Sequence, residues 1–145
     1  MYKFNLEPLL DHRRYQEEVL QKELALLSTH LAREENKLRW IQQERKKYAL
    51  GLQHRQRQDV LVSEIQLYIG YLERLVKDLE KQRQRVQVAQ EKVDLKRNEL
   101  IDTMKKRKAL ERLKEKGRHQ FQLKMRKRER NFMDEVASVR FSRRG

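Results

Sequence analysis

The sequence has no cysteine, one proline, four glycines and few aromatic residues. Without cysteine the chain forms no disulfide, uses no thiol nucleophile and offers no thiolate to a metal, an absence that suits the cytoplasm. Charged residues make up 40% of the chain and apolar residues 37%. That many charges are incompatible with a compact globular core at this length, so a single elongated unit is expected.

Long apolar stretches are also missing. No run approaches the 18 or so residues that a membrane-spanning helix needs, so no transmembrane segment is expected. The charged residues Asp11, Arg13 and Arg14 follow the N-terminus before an apolar region can form. A secretory signal is therefore not expected either.

The residues that carry chemistry are scattered. The four histidines have no metal-ligand spacing, and the glycines are isolated instead of forming a phosphate-binding loop. A rod of two helices offers no dry, concave pocket. We therefore expect no catalytic residue, no metal site, no cofactor and no enzymatic activity. The histidines are His12, His30, His54 and His119.

In the first half of the chain, alternating steps of four and three residues lead from Leu6 to Leu52 through fourteen positions. Ten of these fourteen positions are apolar, which predicts a long helix with a coiled-coil seam. The apolar positions are Leu6, Leu10, Leu20, Leu24, Leu27, Leu31, Leu38, Ile41, Tyr48 and Leu52. The polar ones are Arg13, Glu17, Glu34 and Arg45.

The second half repeats the pattern after a polar stretch in which Asp59 is the expected N-cap. Its seam positions are Leu61, Ile65, Tyr68, Leu72, Leu75, Leu79, Gln82, Val86, Ala89, Val93, Lys96 and Leu100. The sequence predicts an all-α fold in which two long helices form an antiparallel coiled-coil hairpin, the second helix longer than the first. The predicted bounds are a helix at about 5–52, a turn at 53–59 and a helix at 60–140, within one hairpin over 1–145.

The register of the hairpin follows from placing the seam positions of the two helices opposite each other across an eight-residue turn. It predicts that Tyr48 faces Ile65, that Glu17 faces Lys96, and that Arg45 makes a cation–π contact with Tyr68. The aromatic residues near the turn include Trp40 and Tyr71, which lie off the seam, as does Ile69. These three are expected to be more exposed than the seam residues and to suggest a contact surface.

The second helix becomes strongly basic toward its end. Residues 105–130 contain thirteen Lys or Arg against three Glu, and a looser apolar stripe continues to Val139, interrupted by Gly117. Beyond Arg107 the predicted register leaves this helix without a partner in the chain. The basic stretch has three interpretations: a solvated face, a docking surface for an acidic protein, or, less favoured, a nucleic-acid contact.

Four segments resemble the flagellar FliJ family. They are FNLEPLLDHRR at 4–14, YIGYLERL at 68–75, KALERLKEK at 108–116 and MDEVA at 133–137. Their order and spacing span nearly the whole chain. The resemblance implies an antiparallel coiled-coil hairpin similar to the central stalk of rotary ATP synthases.

The resemblance also implies partners. The end with both termini would enter the hexameric ring of the flagellar export ATPase and promote its activity, and the opposite tip would meet the export gate membrane protein. Some members escort substrate chaperones. The implied location is cytoplasmic, peripheral to the membrane at the flagellar base through protein partners, with no specific nucleic acid.

The family's tip contacts, matched onto this sequence, are Ile41, Tyr48, Tyr68, Leu72 and Leu75. The basic residues expected to contact the ATPase ring are Arg13, Arg14, Arg126, Lys127, Arg128, Arg130 and Arg140. The alternatives left open are the equivalent stalk of an injectisome, a general coiled-coil scaffold and, less favoured, a basic rod that binds nucleic acid.

Overall fold

A computed structural model describes residues 1–58 and 60–144. It contains two α-helices, α1 (Glu7–Gln56) and α2 (Val62–Arg144), and no strand among the described residues. The predicted all-α fold with a longer second helix is confirmed. Neither helix, as far as the chain is described, is long and apolar enough to cross a membrane.

The start of α1 depends on backbone hydrogen bonds. The Glu7 amide donates to the Phe4 carbonyl at 3.1 Å, and the Leu10 amide donates to the Leu6 carbonyl at 2.9 Å. Pro8 lies in the first turn, where its missing N–H costs no helical hydrogen bond. The acidic Glu7 also suits the positive end of the helix dipole.

The contacts divide the chain into two units. The terminal unit comprises Met1–Glu18 with Ile101–Gly145, and the central unit comprises Val19–Leu100. In the central unit the buried apolar side chains lie at predicted seam positions, which confirms the seam of α2 there. They are Leu75, Leu79, Ala89 and Val93. In the terminal unit Leu10 and Leu110 are buried together with Thr103.

The helices run antiparallel in the central unit, but the register differs from the predicted one. Tyr48 lies against Tyr68 and Tyr71 instead of Ile65, and Lys96 pairs with Glu23 at 2.8 Å instead of Glu17. Each α1 residue thus faces α2 residues that lie roughly one to two helical turns further along the chain than the predicted register placed them.

The position of the turn explains this difference. Residues 53–56, expected in the turn, continue α1, because Gln and Arg are good helix formers even without an apolar stripe. Leu61, expected to pack in the last layer, precedes α2 and is exposed. The connection between α1 and α2 is therefore centred later in the chain than predicted. This shifts the register of the two helices in the same direction. The predicted N-cap Asp59 lies outside the described residues.

Candidate partner-binding surfaces

Three tyrosines gather near the connected ends of the helices in the central unit. The Tyr48 ring centroid lies 5.8 Å from that of Tyr68 and 4.5 Å from that of Tyr71. The Tyr71 hydroxyl donates to the Glu44 carboxylate at 3.3 Å. These tilted pairs add stability beyond the area that they bury, so this cluster fixes the two helices against each other.

Tyr71 is a correction to the sequence interpretation, which placed it off the seam. It is half-buried between the helices, because the shifted register brings it opposite Tyr48. Burial, followed by the nearby Glu44 carboxylate, raises the pKa of the Tyr71 hydroxyl. The phenol therefore remains a protonated donor to Glu44 at neutral pH.

The cation–π contact also involves a different arginine. Arg45 is exposed, and the guanidinium near the Tyr68 ring is that of Arg55, 5.9 Å from its centroid. Arg55 also pairs with Glu64 at 3.1 Å. The extension of α1 to Gln56 places Arg55 in a helical turn beside the start of α2, which the sequence interpretation missed.

The residues predicted to contact the export gate differ in accessibility. Ile41, Tyr48, Tyr68 and Leu72 are half-buried, whereas Leu75 is only 3% exposed. A side chain so completely enclosed between two helices offers no surface to a partner unless the helices separate. Trp40 is 56% exposed and Ile69 41%, as expected for off-seam residues.

A network of ion pairs joins α1 and α2 in the terminal unit. The Arg107 guanidinium donates to the Glu17 carboxylate and, at 2.9 Å, to that of Glu111. Lys114 pairs with Glu7 at 2.8 Å. The hydrogen bond from Arg107 to Glu17, more than that to Glu111, raises the pKa of Arg107, so the guanidinium is charged at any physiological pH.

The residues predicted to contact the ATPase ring fall into two groups. Arg13 hydrogen-bonds Gln16 at 3.0 Å, and Arg14 pairs with Asp11 and Glu111, each at 3.5 Å. These two arginines therefore already make contacts within the terminal unit. In the second group every member is exposed and, among the described residues, has no ion pair: Arg126, Lys127, Arg128, Arg130 and Arg140.

Gly117 lies at a close approach that the sequence analysis took for an interruption. The Tyr2 hydroxyl packs directly on it, and an added Cβ would lie 3.0 Å from the Tyr2 ring carbon Cζ. The Tyr2 ring is 5.8 Å from that of Phe121, one helical turn further on. Pairing thus extends well beyond Arg107, where the predicted register ended it. The sequence signal for this contact was the position of Gly117 on the line of the seam.

Glu34 and Gln82 form a polar layer inside the central unit. Both side chains are buried, and the Gln82 amide donates to the Glu34 carboxylate and, at 2.9 Å, to the Glu34 carbonyl. The hydrogen bond from Gln82 is the main reason why the pKa of Glu34 is lowered. Both residues were assigned to the seam from the sequence, but not to the same layer.

The described residues contain no group of three or more His, Asp or Glu side chains that could hold a metal ion. The surface features with chemical character are instead the tyrosine cluster, the terminal ion-pair network and the exposed end of α2. The first two hold the helices together, and the end of α2 leaves its apolar and basic side chains exposed.

Comparison with known proteins identifies a matching family. The family model described as flagellar FliJ protein matches residues 2–145. No curated protein and no solved structure matches the chain significantly.

Proposed function

Because the chain belongs to the flagellar FliJ family, a family of flagellar export components, we propose that it is the non-enzymatic stalk of the flagellar type III export apparatus. In this proposal the end of α2 enters the hexameric ring of the export ATPase and raises its activity. The tyrosine-rich end of the central unit contacts the export gate. The protein thus acts at the flagellar base, peripheral to the cytoplasmic membrane.

The observation that carries the proposal is the exposed end of α2, residues 122–144. Every side chain in this stretch is exposed except that of Val136, which is half-buried. Large apolar residues such as Phe132, Met133 and Phe141 alternate there with arginines and lysines. A helix that exposes so much apolar and basic surface is typical of one that docks on another protein.

The gate contact depends on Ile41, Tyr48, Tyr68 and Leu72, which are half-buried, with exposed Trp40 and Ile69 beside them. Aromatic side chains with part of their surface free are common anchors of protein interfaces. Leu75 supports this surface from within and is not proposed as a direct contact. Substrate chaperones are possible further partners of the same apparatus in this proposal.

The test measures ATP hydrolysis by the cognate export ATPase with increasing amounts of the purified chain. Wild type is expected to raise the rate. The triple variant Arg126→Ala, Arg128→Ala, Arg130→Ala should need about tenfold more protein, if each exposed charge pair contributes roughly 0.5 kcal/mol. A wild-type chain that leaves the rate unchanged while the ring assembles would exclude the proposal.

The matched control removes the same charge elsewhere. Lys46, Lys77 and Arg83 are exposed residues of the central unit, and their alanine triple variant should stimulate the ATPase like wild type. An equal loss in both triple variants would mean that net charge, and not the end of α2, causes stimulation.

A further inference from the structure

A second stripe of exposed residues follows α2 within the central unit, beside the buried seam. Its members are spaced by four, three, four and three, so they share one side of the helix. They are Lys81, Arg85, Val88, Lys92 and Leu95, all exposed. Val88 and Leu95 are 50% and 63% exposed, so this side combines basic residues with uncovered apolar ones.

A matching stripe follows α1 in the same unit. Its members step by four and three in the same way, and all are exposed: Leu26, His30, Arg33, Lys37 and Trp40. Leu26 is 72% exposed and Trp40 56%. Both stripes thus combine exposed apolar residues with basic ones.

One shallow groove between the helices, with a volume of about 490 Å³, is lined by four members of the α2 stripe and by His30 of the α1 stripe. His30 and the buried Glu34 line it from α1, and Arg85, Val88 and Lys92 are among the residues that line it from α2. We call the ten stripe residues together the basic flank. Within the described chain its Arg33, Lys81, Arg85 and Lys92 have no ion pair, while Lys37 and His30 lie within 4.0 Å of Glu34.

The opposite flank of the same helices has a different character. Its positions in α2 are Val76, Arg83, Gln90 and Arg97, and those in α1 are Ser28, Glu35 and Gln42. Val76 is its one large apolar residue, and Arg97 already pairs with Asp94 at 3.8 Å. The concentration of apolar and cationic residues on one flank is therefore not a general property of this coiled coil.

We propose that the basic flank binds an amphipathic helix of another protein, with apolar residues seven apart flanked by Asp or Glu. The heptad spacing of Val88 and Leu95 matches knobs from a third helix, and unpaired cations on both sides favour carboxylates. A second copy, with a net charge of +14, would bring like charges together. Nucleic acid is disfavoured because Trp40 is the one aromatic member of the flank, whereas Leu26, Val88 and Leu95 offer aliphatic surface and no further stacking platform.

This inference goes beyond the stalk proposal and its test needs no ATPase. The chain has a single tryptophan, Trp40, whose emission reports on the flank directly. The probe is a synthetic, aromatic-free helical peptide with Leu at every seventh position flanked by Glu. Binding should shift the Trp40 emission to shorter wavelengths in a saturable way.

Two pairs of variants locate the site. Leu95→Glu should weaken binding at least about tenfold, whereas Val76→Glu, on the opposite flank, should leave it unchanged. Arg85→Ala should weaken binding about threefold, as expected for one exposed charge pair, whereas Arg83→Ala should not. All four residues are exposed, so the variants are expected to fold, and circular dichroism checks their helicity.

Several results would overturn the inference. One is the lack of a saturable emission shift with the wild-type chain, and another is an equal loss of binding in both members of each variant pair. A poly-glutamate peptide or duplex DNA that produces the same shift would assign the flank to charge alone or to nucleic acid. Self-association in sedimentation experiments, abolished by Leu95→Glu, would assign it to a second copy.

Discussion

The two units join the same pair of helices by different interactions. In the central unit the buried layer consists of Leu75, Leu79, Ala89 and Val93 with one polar pair. In the terminal unit Leu10 and Leu110 are buried, and Arg107 and Lys114 of α2 pair with glutamates of α1. The seam is thus mainly apolar in the central unit, which also contains the Lys96–Glu23 pair, and more ionic in the terminal unit.

This difference predicts different responses to salt. Apolar burial stabilises by about 25 cal/mol per Å² and is not weakened by screening, whereas partly exposed ion pairs weaken as ionic strength rises. The terminal unit carries the end of α2 that the stalk proposal assigns to the ATPase. A terminal unit that is more sensitive to salt than the central unit is therefore the property to test.

The largest expected effect is that of Arg107→Ala. Its side chain is 19% exposed and that of its partner Glu17 13%, so the substitution leaves a poorly solvated carboxylate without its cation. We expect a loss of about 1–2 kcal/mol in the terminal unit. Hydrogen exchange measures it locally, as faster exchange of amides in 101–117 with little change in 75–93.

Raising the salt concentration sharpens this comparison. In about 1 M NaCl the Debye length falls to about 3 Å, which weakens the partly exposed Lys114–Glu7 pair more than the mostly buried Arg107–Glu17 pair. Amide exchange in the wild-type terminal unit should therefore speed up, but less than in Arg107→Ala. Arg97→Ala is the control, since it removes a mostly exposed pair with Asp94 in the central unit. Equal protection of residues 101–117 in wild type and Arg107→Ala would contradict the ionic seam.

Substituting one glycine in each unit, Gly70 or Gly117, should have smaller effects on stability, and the two effects should differ. An added Cβ at Gly70 meets nothing within 4 Å, whereas one at Gly117 meets the Tyr2 ring. Gly70→Ala should stabilise the chain by about 0.5–1 kcal/mol through helix propensity. Gly117→Ala should give no such gain, because it displaces Tyr2 from its contact with Phe121. Thermal unfolding measures both.

A double-mutant cycle isolates the contact at Gly117. In a Tyr2→Ala background, Gly117→Ala should become stabilising by about the same amount as Gly70→Ala, since no ring is left to displace. A gain that is the same with and without the Tyr2 ring would show that Gly117 does not serve this contact.

The sequence predicted the helices and the seam because both follow from local patterns. The spacing of Leu75, Leu79, Ala89 and Val93 specifies which side of α2 is buried, whatever the partner. The register is not local, since it depends on where the chain turns. Gln53 to Gln56 are polar, which suggested a turn, but their helix propensity continued α1 and moved every pairing.

The same reason explains what was missed at the surfaces. Glu17 was assigned to the seam, and Arg107 was named as the limit of pairing in α2, but a pairing over ninety residues requires the register. The contact of Tyr2 with Gly117 is equally non-local. Exposure of Trp40 needed only the periodicity of α1, and the structure agrees with it. The exposed end of α2 was expected from the unequal helix lengths, and it begins further along the chain than the predicted register placed it.

The smallest expected effect is a pH dependence of the central unit through Glu34. Its pKa is lowered from the usual 4.5, chiefly by the hydrogen bond from Gln82. A lowered folded-state pKa means that the charged form stabilises the fold above the unfolded pKa, and that this contribution is lost as pH falls through the folded pKa. The excess in free energy of unfolding of wild type over Glu34→Gln should therefore shrink as the pH falls below the usual pKa of 4.5.

Urea unfolding of both proteins at a series of pH values measures this difference in free energy of unfolding. The contributions of the other carboxylates cancel, because both proteins contain them. The terminal unit offers the matched comparison, since its amide exchange in 101–117 should respond to pH equally in wild type and Glu34→Gln. A difference that stays constant or widens as the pH falls would contradict a carboxylate stabilised in its charged form. In that case the Glu34–Gln82 layer would join the helices as a neutral pair, and the two units would differ less in their electrostatics than the geometry indicates.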